Sequence, residues 1–83
     1  MVQPAQAGTS YRLDCRKANQ DEVLKQAVIN MHARVWHGQK PDELQVEKRS
    51  DGTYYVKAIV FNRETAPQIT LFDVTANFYV SRI

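Results

Sequence analysis

The chain holds one cysteine, Cys15, so no internal disulfide can staple it. Two histidines and one thiol give no ligand spacing suited to a structural metal. On a helix, His32 and His37 would stand about 140° apart, too far round to share an ion. No apolar run approaches the length of a membrane span. The opening Met-Val-Gln-Pro-Ala-Gln-Ala-Gly has neither a basic n-region nor an apolar h-region and does not read as a signal peptide. Neither charge sign dominates: eleven basic against nine acidic residues leave a net +2, too small to imply a polyanionic partner by itself. A Gly-rich phosphate loop, a nucleophile elbow and a zinc signature are all missing. These absences lead to the expectation of a cytoplasmic chain with no cofactor and no metal. They also argue against an enzyme, which needs converging groups in a pocket.

What is present is enough to fold. Across 83 residues, 43% are hydrophobic and 24% charged, well away from the composition of a disordered chain. A chain of this size hides only about 60% of the surface its unfolded form exposes, so its core is thin. With disulfide and metal excluded, self-association is the remaining common staple, and a homodimer is expected.

Residues 1–10 are small and polar and read as a flexible tail, leaving 11–83 as a single domain. Tyr11, Leu13 and Cys15 alternate with Arg12, Asp14 and Arg16, the period of a half-buried strand. Asn19 is placed as an N-cap, with Glu22 three positions on to complete a capping box. Leu24, Ala27, Val28, Met31 and Val35 then repeat as one helical face. Gly38 suits the left-handed C′ position and Pro41 forbids continuation, so a helix is predicted over roughly 20–37.

From Glu43 the period becomes two. Leu44 and Val46 alternate with polar residues, and Asp51-Gly52 is a hairpin signal between strand-like runs. A two-residue Asp51-Gly52 loop sets Val46 opposite Lys57 and Leu44 opposite Ile59. That register gathers Leu44, Val46, Tyr55, Ile59 and Phe61 on one face. The strand over 54–61 is apolar on both faces, which suits an interior position. The last run, 69–80, reads as one strand whose core parity is Phe72, Val74, Ala76, Phe78 and Val80. Ile69 and Leu71 carry the other parity, which calls for a bulge near Leu71 and Phe72.

The expected fold is therefore α+β, in the order β-α-β-β-β, with one amphipathic helix packed on a four-stranded antiparallel sheet. This order resembles that of cystatin-like folds. The tip Arg49-Ser50-Asp51-Gly52-Thr53 does not match the glycine-bearing hairpin motif with which cystatins inhibit proteases, so the resemblance implies a fold and not that activity. Helix followed by three strands is also similar in order to double-stranded-RNA-binding domains, whose second helix and basic cluster have no counterpart here.

Two surfaces are candidates for function. The helix carries a second stripe, Ile29, His32 and Trp36, about 120–140° from Leu24 for its two apolar members. The sheet either reaches round to cover it or leaves it for another chain. The long apolar edge over 72–80, with Phe72, Val74, Phe78 and Val80, invites pairing with a second copy or a small protein partner. Both point to a non-enzymatic interaction or assembly module. The competing reading is a nucleic-acid-binding module that uses the basic and aromatic residues Lys48, Arg49, Tyr54 and Lys57 around the hairpin.

Overall fold

The computed structural model describes residues 9–18 and 21–83. The expected tail over 1–8 and the expected cap Asn19 lie outside them. The elements are β1 (Thr9–Asp14), α1 (Glu22–Val35), β2 (Glu43–Lys48), β3 (Tyr54–Val60), β4 (Gln68–Val74) and β5 (Val80–Arg82). The strands form one antiparallel sheet in the order β1-β2-β3-β4-β5, with α1 inserted between β1 and β2. The fold is α+β in the expected element order. Thr9 and Ser10, expected in the tail, already pair with Lys48 and Glu47.

The sheet has one strand more than expected because the last run is not continuous. Thr75 N–H donates to the Tyr79 carbonyl (2.9 Å) and Phe78 N–H to the Thr75 carbonyl (2.9 Å), folding the chain back into β5. No bulge is needed at Leu71 and Phe72. β4 runs in unbroken register against β3, with Phe72 opposite Val56 and Leu71 opposite Lys57. Ile69 and Leu71 simply face away from the helix.

The hairpin between β2 and β3 is one residue longer than the expected turn. Arg49 N–H donates to the Thr53 carbonyl (2.8 Å) and Gly52 N–H to the Arg49 carbonyl (3.1 Å), closing a three-residue loop Ser50-Asp51-Gly52. Only its third residue, Gly52, has positive φ, at 89°. A type I turn followed by one left-handed residue needs just that. A two-residue type I′ loop would need two. Val46 thus pairs with Val56 and Leu44 with Ala58, not with Lys57 and Ile59. One step of register exchanges the faces of a strand. Val56 and Ala58 enter the core, while Tyr55, Ile59 and Phe61 move to the opposite side.

That core is Leu13, Leu44, Val46, Val56, Ala58, Phe72 and Val74 from the sheet, closed by Leu24 and Val28 from the helix. The helix is rolled about its axis relative to the expected seat. Leu24, Lys25, Val28, Ile29 and His32 are its buried residues, an arc of about 140° that begins at Leu24 and runs toward the second stripe. Ala27, Met31 and Val35 are half-buried at its margin. Lys25 tolerates this burial because its ammonium donates to the Lys17 carbonyl (2.5 Å) and pairs with Glu22 (2.9 Å). At the other end Trp36 caps the helix and His37 takes the left-handed C′ position, with φ 53°. Gly38, expected there, is the next residue, and its N–H donates to the Ala33 carbonyl (2.7 Å) in a Schellman closure.

Candidate functional site

The second helical stripe is core. Ile29 is 6% exposed and His32 is fully buried, its ring edge-on to Phe72 at 6.3 Å between centroids. A carbonyl only accepts, so the 2.7 Å contact from His32 Nδ1 to the Gln39 oxygen fixes the proton on Nδ1. The indole N–H of Trp36 donates to the Thr70 hydroxyl on β4 (3.0 Å), and the Arg82 guanidinium from β5 lies over the indole ring at 5.4 Å. Strands β4 and β5 therefore cover the stripe, burying Ile29 and His32 and leaving Trp36 half-buried. Phe72 and Val74 are likewise fully buried, and Val80 packs half-buried against them. Their strand was expected at an edge, but β4 is interior and only the short β5 lies outside it. Of the seven candidate interface residues only Phe78 is exposed, and its ring stacks on Tyr54 at 6.0 Å.

The basic and aromatic residues around the first hairpin do not share a face. Lys48 and Tyr54 are cross-strand partners on the helix side, whereas Lys57, one residue out of phase, faces away. Arg49 is already engaged, bridging to Asp73 (2.8 Å), donating to the Thr53 hydroxyl (3.0 Å) and stacking over Tyr55 at 5.9 Å. These four residues form no continuous basic strip.

Cys15 sits half-buried after β1, and burial pushes its thiol up to about 11, against a smaller opposing pull from Lys25. The cysteine is protonated and unreactive at neutral pH. The Tyr11 hydroxyl, raised first by burial and then by its hydrogen bond to Asp21, joins β1 to the helix start.

What sequence reasoning missed is the sheet face turned away from α1. Its residues follow from the register as three rows across the strands. Ser10, Glu47, Tyr55, Asp73 and Ser81 form the row nearest the hairpin tips. Arg12, Gln45, Lys57 and Leu71 form the next, extended by Ile83, whose N–H donates to the Leu71 carbonyl (3.0 Å). Asp14, Glu43, Ile59 and Ile69 form the third, and Phe61 lies beyond it. Over β1–β3 the face is a shallow depression lined by polar side chains with Tyr55. Over β3–β5, beyond the Tyr55, Asp73 and Ser81 row, it is apolar apart from Lys57. Phe61 and Ile69 are each 54% exposed and Ile83 64%, around the half-buried Leu71 and the buried Ile59. The available signal was the parity of Ile69 and Leu71, which becomes meaningful once no bulge is invoked.

Charges on this face are mixed: Arg12, Arg49 and Lys57 against Asp14, Glu43, Glu47 and Asp73. Among the described residues no His, Cys, Asp and Glu group could hold a metal ion, and no helix is long and apolar enough to cross a membrane. No protein-family model matches the chain, and no curated protein or solved structure matches it either.

Proposed function

We propose that the chain is a non-enzymatic interaction module that self-associates through the sheet face opposite the helix. One observation carries this reading: Ile69 on β4 and Phe61 and Ile83, one residue past the ends of β3 and β5, are each more than half exposed on one face. Scattered apolar residues are normal on a surface, but a contiguous group with a polar surround marks a contact site. An antiparallel sheet can leave one face in water when that face is polar. Here the polar half obeys that rule and the apolar half breaks it. A second layer over the apolar half would also add burial to a thin core.

The test is sedimentation at micromolar concentration. The wild type is expected at twice 9.6 kDa, and Ile69→Asp with Ile83→Asp at 9.6 kDa. Both positions are exposed, so the variant keeps its helix signal and gives up only the stability that association adds. A wild type that stays monomeric at tens of micromolar removes the reading.

A further inference from the structure

We infer that the occupant of the apolar half-face is a second copy of this chain, related by a twofold axis that runs across the strands. The inference rests on the self-association proposed above and adds its geometry. Face-to-face sheets stack about 10 Å apart with their strands nearly aligned. An isologous pair of this kind can place its axis along the strands or across them. The two arrangements bring different residues together.

With the axis across the strands, between the Lys57 row and the Ile59 row, each row lies on the other row of the second copy. Leu71 meets Ile69, and Phe61 meets Tyr55, so apolar side chains cover one another. Lys57 meets Ile59, with Glu43 of the second copy on the adjoining strand. Lys57 is exposed, and no carboxylate of its own chain is paired with it among the described residues. Among the described residues Glu43 is held by the Gln45 amide alone, at 3.3 Å. The symmetry forms this Lys57–Glu43 pair twice.

With the axis along the strands, between β3 and β4, Lys57 falls on Leu71 and each row meets itself. Glu43 of the second copy is then carried over to the line of β5, two strands from Lys57 and beyond its reach. Both arrangements cover apolar surface, but only the axis across the strands also pairs the two charges. Electrostatic complementarity of this kind sets the register of an interface more than its affinity.

The experiment uses the whole chain with Cys15→Ser, carrying Gln45→Cys alone or mixed with a chain carrying Ile83→Cys, and a short bismaleimide as the probe. The proposed axis sets the two Gln45 positions about 12 Å apart and Gln45 to Ile83 about 19 Å. The alternative axis sets them at about 17 Å and 10 Å respectively. Linking of Gln45→Cys to itself, with little linking to Ile83→Cys, is the expected result. Preferential linking of 45 to 83, or a dimer with no link at 45, overturns the inference while leaving self-association standing. A monomeric wild type removes both. As a second measure, Lys57→Glu is expected to weaken the dimer about fivefold, with Glu43→Lys in the same chain restoring it. A double variant as weak as the single one overturns the pairing.

Discussion

Two hairpins of the same construction lie side by side at one end of the sheet, and they solve one backbone problem differently. In each, a residue bonds its partner four positions on, Arg49 to Thr53 and Thr75 to Tyr79, around a three-residue loop. In each, the third loop residue is left-handed, with φ 89° at Gly52 and 64° at Phe78. Glycine takes that conformation without steric cost, whereas a residue with a Cβ loses about 1–2 kcal/mol. Phe78 is held there by its stack on Tyr54, 6.0 Å between centroids with planes 23° apart, which returns about 0.5–1.5 kcal/mol. The first hairpin is thus relaxed and locally determined. The second is strained, and its shape depends on a neighbouring strand.

Removing that support gives the largest expected effect. Phe78→Ala keeps the strain and loses the stack, and about 2 kcal/mol of stability should go with it, read as a lower urea midpoint at constant slope. Gly52→Ala imposes on the first hairpin the strain of the second without a compensating ring. The added Cβ would meet only the Ala76 Cβ at 3.7 Å, an ordinary contact, so the cost is conformational and about 1 kcal/mol. Phe78→Gly removes strain and stack together and is expected to fall within about 0.5 kcal/mol of wild type. If Phe78→Gly is as damaging as Phe78→Ala, the left-handed strain at Phe78 is not a real cost and the comparison fails.

The same pair of loops explains what could be read beforehand. Asp51-Gly52 announces a turn, and the turn is there. A dipeptide that suits a two-residue loop also suits the end of a three-residue one, so the register came out one step wrong. Phe78 gives no turn signal at all, which is why 69–80 read as a single strand and the fifth strand was missed. The helix shows the same division. Its period and stop were legible, but it starts at Glu22 behind Asp21 with no side-chain cap bond, not behind an Asn19 capping box. Its roll was hidden because Lys25 reads as solvent-facing until Lys17 and Glu22 are seen to receive it. The uncovered face was hidden by the register step, since that step alone sends Ile59 and Phe61 to the same side as Ile69.

The smallest expected effect separates the loops by pH. In the first, the Asp51 carboxylate accepts the Thr53 hydroxyl (2.6 Å) and the Thr53 N–H (2.9 Å), and these bonds, the hydroxyl first, hold its pKa below the usual value of 3.8. A carboxyl depressed in the folded state binds protons more readily once unfolded. Its contribution is therefore complete above 3.8 and is lost as pH falls through the lower folded value. The second loop has Asn77 at the matching position, and there the Thr75 hydroxyl accepts the Tyr79 N–H (3.1 Å), with no titrating group. Asp51→Asn should therefore leave stability at pH 7 slightly reduced and flatten the acid limb of the stability curve. Urea titrations from pH 7 to 3 measure both changes. An unchanged acid limb would place the acid response elsewhere, with Asp14, lowered chiefly by the Arg16 N–H, as the next carboxylate to substitute.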